Sequence, residues 1–191
     1  MIFTETELAG SFIVDLDRHN DDRGFFARMF CQNEFREHGL EPLVAQANVG
    51  YNRLRGTLRG MHFQYPPAAE TKYVRCTRGA VFDVIVDLRP ESPTYLRHTS
   101  VELNAENGRG IYIPRRFAHG YQALVDESET TYVLGEFYSP QDEGGLRFDD
   151  PRLGIDWPLP VAELSQKDAG WQLLDEIEDE LIRRMTVKAA A

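Results

Sequence analysis

The sequence predicts an all-β fold, either a sandwich or a barrel. Runs with strand character recur roughly every 8 to 12 residues, and turn residues separate them. Helical periodicity is confined to two places, so no long helix separates these runs. The chain has 191 residues, of which 42% are hydrophobic and 27% are charged, a composition typical of one globular domain with a sizeable core.

Ten runs are predicted to be strands, because apolar, β-branched or aromatic residues dominate them and turn residues bound most of them. In chain order they are residues 11–16, 25–31, 43–51, 57–64, 72–77, 80–88, 98–103, 110–113, 120–125 and 130–138. Residues 80–88 contain an almost continuous apolar run, which is typical of a central strand.

Two segments have helical character. Residues 32–38 predict a short helix that ends at Gly39. Near the C-terminus the apolar residues recur with helical spacing, and acidic residues precede two arginines. We therefore expect residues 171–191 to form a helical extension that packs on the body of the protein or on a second subunit. Residues 1–191 together are expected to form a single domain.

Charge and composition exclude several classes of partner. The formal net charge is −10 and no basic face is evident, which argues against nucleic acid. An acidic protein that binds an anion must concentrate its cations locally. Cys31 and Cys76 cannot define a disulfide framework, so we expect free thiols. Neither a signal peptide nor an apolar run of about 18 residues is present, so we expect a cytoplasmic protein without a membrane partner.

The most informative segment is the predicted strand 57–64 together with Lys72. On a strand alternate side chains share a face, which groups Leu58, Gly60, His62 and Gln64. An imidazole at His62 with Arg59 and Lys72 nearby suggests an anionic ligand beside a group that transfers protons. The alternative is a hydrogen-bonded core histidine with two solvated cations.

Eight motifs occur in order along the chain: DxRGFF, QxN, GxLRGxHxQ, KxVRCxxGxxxDVxVDxRxxSPT, PxxFAHG, YxP, GIDWP and LSxKD. As a set, over about residues 5 to 170, they resemble the dTDP-4-dehydrorhamnose 3,5-epimerase family, the RmlC-like sugar-nucleotide epimerases of the cupin superfamily. The resemblance implies a double-stranded β-helix, or jelly roll, that assembles as a homodimer. We expect the N-terminal strands to join the partner's sheet, because the alternating Phe12, Val14 and Leu16 need a sheet to cover them.

The resemblance also implies catalytic roles for four residues. His62 corresponds to the general base, Asp168 to its dyad partner, Tyr132 to the acid on the opposite face of the sugar, and Lys72 to a cation near the C4 oxygen. The remaining positions that correspond to the substrate site are Arg23, Phe26, Arg28, Gln46, Asn48, Arg59, His119, Glu143 and Lys167.

These residue types suit an epimerase of 4-keto-6-deoxy sugars. The hydrogens on C3 and C5 are both α to the carbonyl, and removal of either places charge on O4. A neutral imidazole can remove the proton, an ammonium at Lys72 can stabilise the oxyanion, and a hydroxyl at Tyr132 can return a proton from the other face. Asp168 would fix the imidazole tautomer. The resemblance therefore implies a nucleotide-sugar substrate, inversion at C3, C5 or both, and neither a cofactor nor a metal.

Arg28 departs from the family pattern, because a glutamate usually occupies its position in DxRGFFxE. The reversed charge predicts either altered recognition of the base or an additional cation for the diphosphate beside Arg23 and Arg59.

Two other functions remain as alternatives. A metal-dependent cupin usually carries a His-x-His pair, whereas this chain has His62, Phe63 and Gln64 with the cationic Lys72 nearby. A non-catalytic sugar-nucleotide-binding cupin would need no general base. Metal analysis and solvent deuterium exchange at the sugar distinguish these alternatives from the epimerase.

Overall fold

The computed structural model describes residues 1–187, which form strands with three helices. In chain order the strands are β1 (Ile2–Glu5), β2 (Phe12–Asp15), β3 (His19–Asp21), β4 (Gly24–Phe26), β5 (Gln46–Asn52), β6 (Leu58–Gln64), β7 (Lys72–Arg78), β8 (Ala80–Asp87), β9 (His98–Asn104), β10 (Gly110–Ile113), β11 (Phe117–Ala123), β12 (Ser128–Leu134) and β13 (Glu143–Gly145). The helices are α1 (Gln32–Glu37), α2 (Gln166–Ala169) and α3 (Leu174–Met185).

Two antiparallel sheets face each other and form the body of the protein. The first has the strand order β1-β2-β10-β7-β12-β5, and the second has the order β13-β6-β11-β8-β9. Strands β3 and β4 form a separate two-stranded hairpin. Sequence-distant strands are neighbours in both sheets, as in a jelly roll. The predicted all-β fold, a double-stranded β-helix with few helices, is confirmed.

The core has three parts that follow from these layers. Between the sheets pack residues such as Val74, Ile85 and Ile111. On the outer face of the second sheet, α3 buries Leu174 and Leu181, which are completely inaccessible to solvent. Full burial of an aliphatic side chain contributes about 2 kcal/mol, so this helix is held by its packing. On the outer face of the first sheet, α1 buries its phenylalanine against β2, β7 and β10.

Some predicted boundaries are wrong. Residues 25–31 were predicted as one strand, but β4 ends at Phe26 and the chain turns away to begin α1 at Gln32. Strand β5 begins at Gln46 and not at residue 43. The short elements β1, β3, β13 and α2 lack enough alternation to be predicted from the sequence. Residues 188–191 of the predicted C-terminal extension lie outside the described residues.

The N-terminal strands are covered within their own chain. Strand β2 lies between β1 and β10 of the same sheet. Val14 is fully buried and packs in a cluster with Phe35 and Tyr112. The expectation that Phe12–Leu16 needs a partner's sheet to cover it is therefore wrong, because strands of the same chain cover it. None of the helices within residues 1–187 has the length and apolar character to cross a membrane.

The DxRxxSPT motif closes the loop that follows β8. The fully buried Asp87 accepts hydrogen bonds from Arg89 Nε at 2.8 Å, from Ser92 Oγ at 2.6 Å and from Thr94 Oγ1 at 2.7 Å. Burial by itself raises the pKa of Asp87, but these donors outweigh it and hold the pKa below its ordinary value. The carboxylate therefore stabilises the fold in its ionised form.

We expect Asp87→Asn to lower the free energy of unfolding by about 3 kcal/mol at pH 7, because Arg89 then lacks its buried partner. A lowered folded-state pKa adds stability above the unfolded value of about 4, and that stability is lost as the pH falls through the folded value. Urea unfolding of the wild type should therefore show an acid loss that the variant lacks. Asp149→Asn, which breaks the exposed pair with Arg147, should cost less than about 1 kcal/mol. Equal losses for both variants would contradict this assignment.

Candidate active site

A cavity of about 360 Å³ lies between the two sheets, and both sheets line it. Strands β5, β7 and β12 of the first sheet contribute Gln46, Asn48, Lys72 and Tyr132. Strands β6, β11 and β13 of the second sheet contribute Arg59, His62, His119 and Glu143. Eight of the thirteen site residues expected from the sequence thus meet in one cavity.

A β-bulge in β6 determines which side chains of that strand reach the cavity. His62 pairs with His119 of β11, but Arg59 pairs with Tyr121, so β6 has one more residue than β11 between the two pairs. The extra residue reverses the alternation, and Arg59 and His62 both line the cavity although they are three residues apart. The expected common face of residues 58, 60, 62 and 64 is therefore wrong on the N-terminal side of the bulge.

Gly60 lies in this bulge and requires glycine on two counts. Its φ is +125°, and a Cβ atom there would lie 2.6 Å from Gly120 Cα. Its amide N–H donates to Asp168 Oδ2 at 3.3 Å. The bulge therefore brings the backbone of β6 against α2 and helps to orient the Asp168 carboxylate.

His62 and Asp168 form an imidazole–carboxylate pair. His62 Nε2 lies 2.6 Å from Asp168 Oδ1. Burial raises the pKa of Asp168, but the hydrogen bond from His62, the charge of His62 and the hydrogen bonds from Gly60 and Ser165 together outweigh it, so the pKa lies below its ordinary value. An ionised carboxylate only accepts hydrogen bonds, so the proton resides on Nε2 and Nδ1 is the nitrogen free to accept another. His62 keeps 37% of its side chain exposed, whereas the Asp168 side chain keeps only 5%.

The LSxKD motif places Asp168 through a helix cap. Ser165 is the N-cap of α2, and its hydroxyl accepts a hydrogen bond from the Asp168 amide at 3.0 Å. Lys167 precedes Asp168 and forms an ion pair with Glu143. Tyr138 donates to the other carboxylate oxygen of Glu143 at 3.0 Å. Lys167 and Asp168 therefore lie at the edge of the cavity, next to His62 and Glu143.

Lys72 enters the cavity from the opposite sheet. Its ammonium donates to the His62 carbonyl oxygen at 3.3 Å and lies 3.1 Å from Glu70 Oε1. Lys72 is 9% exposed, so its charge is held in a largely dry site. These contacts place a positive charge beside the strand that carries the imidazole.

Tyr132 lies on β12, in the sheet that faces His62. Its hydroxyl accepts a hydrogen bond from Thr130 Oγ1 at 3.1 Å. Burial, assisted by the neighbouring Tyr121, raises the pKa of Tyr132 well above its ordinary value. The phenol therefore keeps its proton and can donate it.

His119 forms a second imidazole–carboxylate pair, with Asp83. His119 Nε2 lies 2.9 Å from Asp83 Oδ2, and both side chains are almost completely buried. The His119 ring meets the Tyr132 ring edge-on at 6.1 Å between centroids. His119 thus supports the acid side of the cavity.

Arg59 is a cation whose contacts are neutral. Its Nε donates to Asn52 Oδ1 at 2.7 Å, and its Nη2 donates to the Tyr51 carbonyl oxygen at 3.0 Å. No carboxylate within residues 1–187 forms an ion pair with it. Its charge therefore remains available to an anionic ligand at the cavity.

The structure leaves three expected site residues away from this cavity. They lie on the β3–β4 hairpin or just after it, and they are Arg23, Phe26 and Arg28. Arg23 is 90% exposed and pairs with Asp21, and Phe26 is 76% exposed. Arg28 pairs with Glu34 at 2.9 Å. The expectation that these residues line the site together with His62 is wrong for a single chain, because the hairpin extends from the body.

Several cavity residues were not expected from the sequence: Gln64, Glu70, Tyr121, Glu136 and Tyr138 line the cavity, and Asp83 supports it from behind. Glu70 carried only the signal of its position two residues before Lys72; it lies outside β7, which begins at Lys72, so strand alternation does not place its side chain. Asp83 carried a signal as well, since a carboxylate in a predicted central strand needs a partner.

Within the part of the chain that the structure describes, no cluster of three or more His, Cys, Asp or Glu side chains has the arrangement of a metal site. The two imidazoles of the cavity each bind a carboxylate, and the ammonium of Lys72 occupies the space between the sheets. The donor set therefore offers proton transfer and anion binding.

Comparisons with known proteins agree with this geometry. A family model described as dTDP-4-dehydrorhamnose 3,5-epimerase matches residues 5–176. The chain is 43% identical over 177 residues to the dTDP-4-dehydrorhamnose 3,5-epimerase of Methanothermobacter thermautotrophicus, a match that covers 91% of this chain and 95% of that protein.

Two solved structures are similar throughout. NovW, a 4-keto-6-deoxy sugar epimerase of Streptomyces spheroides, has a TM-score of 0.90 and 36% identity, over 95% of this chain and 92% of that one. The dTDP-6-deoxy-D-glucose-3,5-epimerase of Legionella pneumophila, in complex with dTDP-4-keto-L-rhamnose, has a TM-score of 0.89 and 35% identity, over 97% and 99% of the two chains. The family match includes every strand and helix that lines the cavity. The chain belongs to the dTDP-4-dehydrorhamnose 3,5-epimerase family and is an epimerase.

Proposed function

We propose that this epimerase acts on a dTDP-linked 4-keto-6-deoxyhexose and inverts both C3 and C5, converting dTDP-4-dehydro-6-deoxy-D-glucose to dTDP-4-dehydro-L-rhamnose. One observation carries the proposal. His62, which is paired with Asp168 of α2, and the protonated Tyr132 lie on facing sheets of a single cavity, with the ammonium of Lys72 beside the strand that carries the imidazole. Inversion requires a base on one face of a carbon and an acid on the other, and this arrangement supplies both.

In the proposed mechanism His62 removes the proton from C3 or C5 through Nδ1. The electron pair of the C–H bond forms the C=C bond of an enolate, and the charge develops on O4. Lys72 stabilises that oxyanion, a contribution of about 3 kcal/mol by analogy with other oxyanion donors. Asp168 stabilises the imidazolium that forms. Tyr132 then delivers its proton to the carbon from the opposite face, and the configuration is inverted.

The diphosphate of the substrate needs cations outside the reacting centre. Arg59, whose contacts are neutral, and Lys167 at the cavity edge fit this role. Gln46 and Asn48 line the same cavity and supply amide groups for the sugar and nucleotide. Charge-assisted hydrogen bonds to phosphate are about twice as strong as neutral ones, so these cations favour binding of the diphosphate.

Incubation with dTDP-4-dehydro-6-deoxy-D-glucose in deuterated water tests the proposal. We expect deuterium at C3 and at C5, followed by formation of the L-rhamno product. Deuterium at C3 alone would replace the proposal with a single inversion at C3. Binding without exchange at either carbon would contradict the proposal and identify a sugar-nucleotide-binding protein. Metal analysis of protein purified without added metal distinguishes the proposed epimerase from a metal-dependent cupin, which would retain a bound metal.

We also infer that the protein acts as a homodimer. Strand β5 is an edge of the first sheet and exposes Val49 and Tyr51, at 65% and 47%. Exposed apolar edge strands are normally covered. The same strand carries Gln46 and Asn48 of the cavity. A hairpin from a second subunit laid along this edge would cover it and bring Arg23 and Phe26 to the nucleotide end of the cavity.

The dimer is tested by changing the edge strand. We expect a dimer in light scattering at micromolar concentration, and we expect Val49→Asp to yield monomers with weakened dTDP binding. Val125→Asp makes the same change at another exposed position (43% exposed) and should leave the dimer intact. A wild-type monomer at micromolar concentration would refute this inference.

Arg28 supplies a prediction about nucleotide binding. We expect Arg28→Glu to lower the affinity for dTDP about tenfold at low salt and less at high salt. The proposed dimer brings the hairpin that precedes Arg28 to the nucleotide end of the partner's cavity, where the substitution replaces a cation by an anion. Arg36→Glu makes the same charge change on the exposed face of α1 and should have little effect. Titration of dTDP, UDP, GDP and CDP measures this. An increased affinity for dTDP would instead assign the position to recognition of the base, and no change for any nucleotide would make Arg28 a solvated surface residue.

In this proposal residues 1–191 act as one domain, because the first sheet joins the N-terminal strands β1 and β2 to β10 and β12 from much later in the chain. The free thiols of Cys31 and Cys76 support a location in the reducing cytoplasm.

A further inference from the structure

A buried carboxylate in the cavity has one oxygen without a partner. The Glu70 side chain is 9% exposed and lines the cavity next to Lys72. Its Oε1 lies 3.1 Å from Lys72 Nζ. Its Oε2 is inaccessible to solvent and has no hydrogen-bond partner among residues 1–187. An unsatisfied buried carboxylate oxygen is costly, and because Glu70 lines a ligand cavity, a turn of its carboxylate toward a bound ligand would supply the missing donor.

The neighbouring Lys72 has an N–H donor that lacks an acceptor. An ammonium has three N–H donors. Within residues 1–187 a hydrogen bond to the His62 carbonyl oxygen uses one of them, and the ion pair with Glu70 Oε1 at 3.1 Å occupies another side of the ammonium. One donor therefore remains for the ligand. Lys72 and Glu70 together present an unused N–H donor beside an unused oxygen acceptor.

We propose that Glu70 is a substrate-binding residue that accepts a hydrogen bond from the hydroxyl on C3, so that Lys72 and Glu70 recognise the C4 carbonyl and the adjacent C3 hydroxyl as one unit. An α-hydroxy ketone offers an acceptor and a donor on neighbouring carbons, which complements this pair. The inference rests on the proposed function and adds to it the chemical group that the site selects. The carboxylate also offsets the charge of Lys72, so the cavity holds an ion pair and not an isolated cation.

The contact has a different consequence at each reacting carbon. Loss of the C3 proton forms a C3=C4 double bond and places O3 and O4 in its plane. Glu70 then contacts the hydroxyl at O3 while Lys72 contacts O4. Loss of the C5 proton leaves C3 tetrahedral, and C5 carries a methyl group that makes no hydrogen bond. Glu70 therefore contributes to the C3 step through its own contact, whereas it contributes to the C5 step only through Lys72.

Glu70→Gln tests this with little change in shape. The amide oxygen can still accept from Lys72, and the NH₂ group then replaces the free acceptor. We expect deuterium exchange at C3 to fall about tenfold or more, and exchange at C5 to fall less than about threefold. Glu136→Gln removes the same charge elsewhere in the cavity lining and should change both rates by the same factor. Thermal unfolding and dTDP binding check that each variant is folded.

The substrate provides the second half of the test. On a dTDP-linked 4-keto sugar without the C3 hydroxyl, wild type and Glu70→Gln should exchange the C5 proton at rates within about twofold of each other. Equal losses at C3 and C5 on the full substrate would mean that Glu70 acts only by holding Lys72, and unchanged rates would mean that it has no role; either result overturns the inference. A wild type that exchanges neither proton would overturn the proposed function itself.

Discussion

His62→Ala is expected to lower deuterium exchange at C3 and at C5 by about 1,000-fold or more, while dTDP still binds and the fold is retained. The imidazole is the group that removes both protons, and Asp168 holds it in the tautomer that leaves Nδ1 free. His62 is 37% exposed, so its truncation leaves no large buried void. Exchange measured by NMR at the two carbons separately, with dTDP binding by calorimetry, gives both halves of the result.

Two further variants sharpen this prediction. His98→Ala removes an imidazole of β9, outside the cavity, and should exchange at the wild-type rate. Asp168→Asn should lower exchange at both carbons by about 100-fold or more, because an amide can stabilise the wrong tautomer. Exchange by His62→Ala within about tenfold of wild type would show that another group removes the protons.

Most of the fold could be predicted because the patterns that indicate strands lie within short segments of the sequence. Alternation and turn residues located most strands, including the apolar run of β8. The β-bulge in β6 was not predictable, since it depends on how that strand pairs with β11. Strand β13, with the sequence Glu143, Gly144 and Gly145, has low strand propensity and exists because it pairs with β6. Glu143 is therefore positioned by pairing with β6, which the local sequence does not indicate.

The site was predictable only in part. The His62–Asp168 pair joins residues 106 positions apart, and the motifs, not the periodicity, pointed to it. The positions of Arg23 and Phe26 depend on where the hairpin projects, which a local pattern does not encode. Glu70 lies before the first residue of β7, so strand alternation does not predict where its side chain lies. The resemblance to the epimerase family thus identified the catalytic side chains. The residues that contact them could be identified only from the packing of the two sheets.

Tyr132→Phe is expected to separate proton removal from inversion. His62 still removes and returns protons on its own face, so deuterium enters C3 and C5 with retained configuration. Formation of the epimerised product should slow by about 100-fold, because the opposite face has lost its acid. The measurement follows deuterium uptake and product formation in the same sample.

The protonation state and the position of Tyr132 both support its role as the acid. Burial raises its pKa well above the ordinary value, so the hydroxyl is a donor at neutral pH. Phenylalanine keeps the ring that meets His119 edge-on, and the variant therefore loses the hydroxyl without a cavity. Tyr95→Phe removes another hydroxyl, one with no hydrogen-bond partner among residues 1–187, and should epimerise at the wild-type rate. Full epimerisation by Tyr132→Phe would assign the second proton to another acid, such as a water molecule admitted from the cavity mouth.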